Sequence, residues 1–127
     1  MLRKKIMIVD DDKEFLEELQ EMLDSSGYVT LAINDSTTVL DAACIGKPDV
    51  ILLDLKMNGM DGIRVTEELK GAPETEHIPI IAMTGYFTKD EHSMFVSTCG
   101  MEDCLIKPFN PLDVIGRIEM ALMKTKT

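Results

Sequence analysis

Four places in the chain carry reactive side chains directly after a short apolar run. In chain order they are the triplet Asp10, Asp11 and Asp12, then Asp54, Thr84 and Lys107. Carboxylates gathered at one point repel each other unless a cation lies between them, and Mg²⁺ is a hard ion that binds carboxylate oxygens. A lysine and a threonine can bind a phosphoryl group, and an aspartate can accept one covalently. These residue types therefore indicate phosphoryl chemistry assisted by a divalent ion.

Each of these residues also has an ordinary structural explanation. An aspartate after a strand often caps the following helix, a single threonine can occupy a turn, and a single lysine can be a solvated charge. Their joint placement after apolar runs is what favours a shared site. The remaining acids considered are interpreted as caps or solvated surface, and both histidines as structural residues. These are Asp41, Asp49, Asp61, Asp113, His77 and His92.

The elements that must position these side chains alternate along the chain. Short apolar runs rich in β-branched residues predict strands, and runs that are apolar from end to end predict strands buried on both faces. The five predicted strands are Ile6–Val9, Tyr28–Ile33, Val50–Leu53, Ile78–Met83 and Asp103–Ile106.

Segments with helical spacing separate the strands. The first helix has an apolar stripe and stops near Gly27; the stripe is Phe15, Leu16, Leu19, Met22 and Leu23. Weaker patterns predict helices over Asp35–Ala43 and Asp61–Lys70. A capping box at Thr88 and Glu91 predicts a helix to about Thr98, and Asn110–Pro111 opens the last one. Its predicted buried face is Leu112, Ile115, Ile118 and Leu122.

This alternation predicts the fold class. Five β–α units in sequence indicate an α/β fold, a doubly wound five-stranded parallel sheet with helices on both faces. Ligands of such sheets bind at the carboxyl ends of the strands, where the strand order reverses. We therefore expect the acidic triplet, Asp54, Thr84 and Lys107 to converge on one edge of the sheet.

The composition is typical of one soluble domain in a reducing compartment. The chain has 127 residues, 45% of them hydrophobic and 28% charged, and a formal net charge of −10. This charge opposes phosphate backbones, so we expect no direct contact with nucleic acid. No apolar stretch approaches the roughly 20 residues of a membrane helix, so we expect a cytoplasmic protein without membrane contact. The three cysteines are interpreted as buried thiols.

Over nearly its whole length the chain resembles the receiver domain of two-component response regulators. The matching motifs are Ile8-Val9-Asp10-Asp11, Leu53-Asp54, Met57 with Met60-Asp61-Gly62, Met83-Thr84-Gly85 and Lys107-Pro108-Phe109. The resemblance implies a flavodoxin-like strand order of 2-1-3-4-5. It also implies a single receiver domain over residues 1–127, either a stand-alone protein or one excised from a larger regulator.

The resemblance implies a phosphoacceptor and a metal site. Asp54 would accept the phosphoryl group. Asp10 and Asp11 would bind Mg²⁺ or Mn²⁺ together with Asp54 and the backbone carbonyl of Lys56. Asp12 matches no such role and is interpreted as a helix cap.

The same resemblance implies the residues that respond to the phosphoryl group. Thr84 and Lys107 would bind it, and the peptide bond between Lys107 and Pro108 would be cis. The side chains of Lys56 and Tyr86 would lie at the mouth of the site and set the lifetime of the phosphoryl group rather than its uptake.

Two positions depart from the family pattern. Asn58 replaces a usual proline, which we expect to loosen the loop after Asp54. Cys104 occupies the position, three residues before Lys107, where many receivers have a switch aromatic. A buried cysteine is too small to fill that space in two ways. We therefore expect phosphorylation to move the loop after Thr84 and the start of the fourth helix, with little change at position 104.

These observations predict a phosphoacceptor that receives its phosphoryl group from a histidine kinase or phosphotransfer protein. Phosphorylation would bias the face built from the fourth helix, fifth strand and fifth helix toward an unidentified output partner. The chain would act as a signalling domain and not as an enzyme. One alternative is a haloacid-dehalogenase-type phosphatase, because Asp10-Asp11-Asp12 contains its Asp-x-Asp pattern. Another is a pseudo-receiver that only binds proteins, which the cysteine at position 104 keeps open.

Overall fold

The computed structural model describes residues 3–55, 62–85 and 101–124. The helix predicted from Thr88 lies outside these ranges, as do Asn58, Asp61 and His92. The strands are β1 (Lys5–Val9), β2 (Val29–Ile33), β3 (Val50–Asp54), β4 (Ile80–Thr84) and β5 (Asp103–Ile106). The helices are α1 (Lys13–Ser25), α2 (Val39–Gly46), α3 (Gly62–Lys70) and the C-terminal helix (Pro111–Lys124), with a 3-10 turn over Ser36–Thr38.

The five strands form one parallel sheet in the order β2-β1-β3-β4-β5. This confirms the predicted fold class and strand order. Strands β3 and β4 are buried along their whole length, which explains why their sequences are nearly continuous apolar runs. Strand β2 is at the edge and only partly buried.

Alternate side chains of each strand enter two separate cores, one on each face of the sheet. On one face, Ile8 and Leu52 pack in the same cluster as α1 and the C-terminal helix. On the other, Met7 and Leu53 pack in the same cluster as α2 and α3. Each core contains more than ten buried side chains, so the helices on both faces hold the strands in a fixed register.

The ends of the first helix follow the predicted signals. The Asp12 carboxylate accepts a hydrogen bond from the Phe15 backbone N–H, which makes Asp12 the N-cap of α1. Gly27 follows the helix with a φ of 97°, a conformation that glycine adopts without steric cost. The stripe from Phe15 to Leu23 packs on the sheet as expected.

Two of the helix predictions are wrong in detail. The segment from Asp35 begins with the 3-10 turn, because the Asp35 carboxylate caps the Thr37 N–H, and the α-helix starts only at Val39. In the C-terminal helix Leu112 is exposed rather than buried, since its side chain lies on the face away from Val114 and Ile118. The buried face is Val114, Ile118, Ala121 and Leu122, and Ile115 is partly buried.

No helix within the described ranges is long and apolar enough to cross a membrane.

Candidate functional site

The carboxyl ends of four strands carry the candidate residues. Asp10 directly follows β1, and Asp54 is the last residue of β3. Thr84 ends β4, and Lys107 directly follows β5. Because the strands are parallel and adjacent, these ends lie on the same edge of the sheet. The register pairs Asp54 with Met83, and Thr84 pairs with the residue before Lys107.

Three carboxylates converge at this edge. One oxygen from each of Asp10, Asp11 and Asp54 lies within 4.8 Å of the other two. Asp10 and Asp54 are 1% and 6% exposed, whereas Asp11 is on the surface. The donors are therefore two buried oxygens and one that faces solvent. Three hard oxygen donors at this spacing suit a small divalent cation that keeps some of its water, as Mg²⁺ does.

One ammonium lies beside the two buried carboxylates. Nζ of Lys107 donates to Oδ2 of Asp10 at 2.7 Å and lies 3.8 Å from Oδ2 of Asp54. Among the described residues, a single positive charge stands beside three carboxylates, so this part of the edge carries an excess of negative charge. This excess attracts a divalent cation and opposes an incoming phosphate group until a cation is bound.

The backbone around the cluster is fixed by short hydrogen bonds. The Asp12 N–H donates to Oδ1 of Asp10 at 3.0 Å, and the Lys107 N–H donates to the Thr84 carbonyl at 2.7 Å. The Lys107–Pro108 peptide bond is cis. Thr84 itself is 1% exposed. Its place at the end of β4, beside the segment that carries the lysine, brings a hydroxyl to the same edge as the carboxylates.

The space beside Asp54 depends on a glycine. Gly62 begins α3, and its N–H donates to the Leu55 carbonyl. A Cβ at position 62 would lie 2.6 Å from Cα of Leu55 and 2.7 Å from the Asp54 carbonyl oxygen. Only a residue without a side chain lets α3 approach the end of β3 so closely.

Cys104 lies on the opposite face of the sheet from α1. It is buried in the same core cluster as Ala82 and Met101. Removal from water raises the pKa of the Cys104 thiol to about 11 because burial disfavours the thiolate, and the nearby Asp103 carboxylate adds to the effect.

The Cys104 thiol should therefore be inert in the folded protein. A rise of about two units in the thiol pKa leaves on the order of a hundredfold less thiolate at pH 8. We expect iodoacetamide to label Cys104 at least ~100-fold more slowly in the native chain than in urea, as followed by peptide mapping. Cys44 is partly exposed, contrary to the interpretation of the cysteines as buried thiols, and provides the internal comparison. Equal labelling of Cys104 in both conditions would contradict its burial.

Some predicted site residues lie outside the described ranges. These are Lys56 and Tyr86. The described part of the site also contains a contact that the sequence interpretation missed. Nζ of Lys107 lies 4.2 Å from the centre of the Phe15 ring, although Phe15 was assigned only to the apolar stripe. The clue was its place in the first turn after the acidic triplet.

Comparison with known proteins identifies the family. The family model described as "Response regulator receiver domain" matches residues 6–119. The polar-differentiation response regulator DivK of Brucella anthropi is 32% identical, and the match covers 84% of this chain and 86% of that protein. The DNA-binding response regulator MtrA of Mycobacterium tuberculosis is also 32% identical, and the match covers 97% of this chain but 52% of that protein. The chain thus spans about half the length of MtrA and similar curated relatives.

Solved structures agree with this result. The crystal structure of a CheY-like response regulator receiver domain protein from Methanospirillum hungatei aligns with a TM-score of 0.89 and 26% identity. The alignment covers 98% of both chains. Together with the matched motifs and the strand order, these findings show that the chain belongs to the response regulator receiver domain family of two-component systems.

Proposed function

We propose that this receiver domain accepts a phosphoryl group on Asp54, in a reaction that requires Mg²⁺ or Mn²⁺. The donor would be a histidine kinase or a phosphotransfer protein. A carboxylate oxygen of Asp54 would form the new P–O bond as the P–N bond to the donor histidine breaks, and the histidine would keep the electron pair and take a proton.

The observation that supports the proposal is the placement of Asp54. Its carboxylate ends the central strand and lies beside the carboxylates of Asp10 and Asp11. It also lies 3.8 Å from the ammonium of Lys107. A nucleophilic carboxylate thus has both a candidate cation site and a fixed positive charge as neighbours. Both are needed to bring a phosphate group to an acidic surface.

Asp10, Asp11 and Asp54 would hold the divalent ion, with the backbone carbonyl of Lys56, outside the described residues, as a further ligand. When bound, the ion would neutralise charge on the phosphoryl oxygens. Lys107 would contribute an ammonium that turns from Asp10 toward the phosphoryl group, and Thr84 a hydroxyl that can donate to it.

Labelling with a small phosphodonor tests the proposal. With acetyl phosphate and Mg²⁺, the full chain should gain one phosphoryl group that is lost in base and in hydroxylamine. Tandem mass spectrometry should locate the group at Asp54. An excess of chelator should suppress labelling, because without a cation the clustered carboxylates repel the donor. Labelling that is equal with chelator present, or that lies at another residue, would refute the proposal.

The divalent ion should also stabilise the fold without any phosphodonor. A ligand at a hundredfold excess over its dissociation constant stabilises the native state by about 2.7 kcal/mol, which is roughly 5–12 °C in Tm for a domain of this size. We expect a shift of this order when Mg²⁺ is titrated against the protein in differential scanning calorimetry.

Two variants make that measurement specific. Asp11→Asn removes one of the three clustered carboxylates, and we expect it to abolish most of the shift. Asp41→Asn removes the same charge from an exposed position in the first turn of α2, and we expect it to keep the shift. If both variants respond like the wild type, the ion binds elsewhere.

The response to phosphorylation remains part of the proposal. Thr84 and Lys107 would follow the phosphoryl group, and the loop after Thr84 and the start of the fourth helix would move. Cys104, buried and small, would stay in place. Lys56 and Tyr86 would modulate the rate of phosphate loss. The segment predicted to form the fourth helix and these two residues lie outside the described ranges.

Partners and context are proposed on the same basis. The relatives include regulators named as DNA-binding, of which this chain matches about half. We infer that residues 1–127 form a single receiver domain that acts in the cytoplasm without contacting nucleic acid or membrane itself. It would pass its signal to an output partner, either a separate protein or another domain.

The two alternatives are less well supported. A dehalogenase-type phosphatase would need both aspartates of its Asp-x-Asp pattern, but the Asp12 carboxylate caps α1 and Asp54 would have no role. A pseudo-receiver would have no use for a lysine between two buried carboxylates. The labelling experiment separates all three, because only a phosphoacceptor receiver retains the group on Asp54.

A further inference from the structure

The Lys107 ammonium has an aromatic neighbour that the proposed chemistry does not use. Its Nζ lies 4.2 Å from the centre of the Phe15 ring, well within the roughly 6 Å range of a cation–π interaction. Phe15 belongs to the first turn of α1, whereas the lysine follows β5, so the contact joins segments that are far apart in the chain.

The Phe15 ring is fixed on several sides. It packs against the Phe109 ring in a T-shaped arrangement with centroids 5.8 Å apart and planes at 76°. Both rings are partly buried and pack against the core that contains Leu19 and Val114. At the backbone, the Phe15 N–H is held by the Asp12 carboxylate. A ring restrained in this way presents its face to the ammonium at low additional entropic cost.

These contacts form a closed circuit around the candidate site. Oδ1 of Asp10 accepts from the Asp12 N–H at 3.0 Å, and Oδ1 of Asp12 accepts from the Phe15 N–H at 3.2 Å. The Phe15 ring faces Lys107, whose Nζ returns to Oδ2 of Asp10 at 2.7 Å. The four groups therefore restrain one another: the proposed metal ligand, the helix cap, the aromatic ring and the ammonium.

We propose that Phe15 is a positioning residue that holds the Lys107 ammonium beside Asp54 through the face of its ring. The kinetic consequence of this role rests on the proposed phosphoacceptor function, but the positioning itself does not. With the ring in place, Nζ is already 3.8 Å from the Asp54 carboxylate and needs only a small movement to meet a phosphoryl oxygen.

An aromatic ring suits this task better than a further acid. A third carboxylate next to the lysine would fix the ammonium but would add negative charge where a phosphate must enter. A ring face attracts the cation through its quadrupole and carries no net charge. An aliphatic side chain would pack against the core but would offer the ammonium no electrostatic attraction.

Fluorination of the ring tests the electrostatic part of this proposal. Replacing Phe15 with mono-, di- and trifluorophenylalanine weakens the negative ring face in steps while nearly keeping its shape. We expect the rate of phosphoryl uptake from acetyl phosphate to decrease with each fluorine, to a total loss of roughly two- to fivefold. Phe15→Leu should show a loss of similar size. Met22→Leu, in the same groove between α1 and the C-terminal helix, should keep the wild-type rate.

A packing role gives a different result. In that case the fluorinated proteins would all react at the wild-type rate and only Phe15→Leu would be slow, which would overturn the proposal. Equal rates in every variant would overturn it as well. Because the fluorinated rings keep the fold, the result does not depend on whether Phe15→Leu folds.

A second readout needs no phosphodonor. In the wild-type NMR spectrum the ε-methylene protons of Lys107 should be shifted upfield by the Phe15 ring current, and Phe15→Leu should release that shift. Random-coil positions in the wild type would refute the positioning. If the wild type takes up no phosphoryl group, the proposed function fails, and this spectrum alone decides whether Phe15 positions the lysine.

Discussion

Replacing Asp54 with asparagine should abolish phosphoryl uptake and at the same time stabilise the metal-free protein. The amide is not nucleophilic, so we expect labelling by acetyl phosphate to decrease more than about a hundredfold. The stability effect follows from the charges around the residue. In the part of the chain that the structure describes, two carboxylates and one ammonium lie near Asp54, and the ammonium is closer to Asp10 than to Asp54.

The sign of the stability change can be derived from these neighbours. Among the described residues, two carboxylates repel the Asp54 carboxylate, with an oxygen of each within 4.8 Å of it, and one ammonium attracts it from 3.8 Å. Asp54 is also 6% exposed, so its charged form has lost most of its water. Both terms favour a neutral side chain. At the effective dielectric of protein sites one net repulsion of this kind is worth about 1–3 kcal/mol at low salt.

Mg²⁺ should reverse this order. The wild-type cluster would gain binding free energy from the ion, whereas Asp54→Asn would have lost one of the three proposed carboxylate ligands. Urea unfolding should therefore show the variant to be more stable than the wild type in chelator and less stable in saturating Mg²⁺. Asp41→Asn is the matched control, because it removes one charge from an exposed position. Its stability should differ little from the wild type under both conditions.

Either half of this prediction can fail alone. Full labelling of Asp54→Asn would show that another residue is the acceptor. A variant that is less stable than the wild type even in chelator would contradict the predicted sign. It would show that attraction to the Asp54 carboxylate outweighs its repulsion by the other carboxylates and its loss of hydration. A crossover with Mg²⁺ together with lost labelling would support both the acceptor and the shared cation site.

The strand ends were predictable because parallel sheets follow simple rules. Apolar runs indicated β3 and β4, and parallel strands place their carboxyl ends on one edge, so Asp54 and Thr84 had to be near each other. The strand order came from the family motifs, because strand alternation alone does not determine which strands are neighbours. The cap at Asp12 was predictable from its residue type and place.

The rest of the site depends on geometry that local patterns do not contain. The contact between Phe15 and Lys107 joins residues more than 90 positions apart, and helical periodicity could only assign Phe15 to the core side of its helix. The prediction that Leu112 is buried was wrong for a similar reason. Leu112 fits an apolar repeat of three and four residues, but the rotation of the helix on the sheet follows Val114 and Ile118.

The physical reason for Gly62 was also not predictable from the sequence motif. Its place in the matched segment Met60-Asp61-Gly62 indicated the family but not the physical reason for a glycine. The reason is the close approach of α3 to the end of β3, where a Cβ would lie 2.6 Å from Cα of Leu55 and 2.7 Å from the Asp54 carbonyl oxygen. Both are backbone atoms, so neither can move aside by a change of rotamer.

We therefore expect Gly62→Ala to destabilise the protein by about 2–4 kcal/mol, at or above the upper range of overpacking substitutions. The added methyl group must displace either the first turn of α3 or the end of β3. The first movement breaks the bond from the Gly62 N–H to the Leu55 carbonyl and disturbs the Thr66 hydroxyl, which donates to the Gly62 carbonyl. The second moves Asp54 itself, so uptake should also decrease.

Gly116→Ala is the matched control, because it makes the same substitution inside the C-terminal helix. A Cβ at position 116 would have no heavy atom of the other described elements within 4 Å. Alanine there should stabilise the protein by about 0.5–1 kcal/mol through the lower entropy of the unfolded chain and better helix propensity. The two variants should thus change the free energy of urea unfolding in opposite directions. Equal changes in both variants would contradict the prediction. They would mean that alanine at position 62 has only its general effect in a helix, and that the close approach of α3 to Asp54 does not require glycine there.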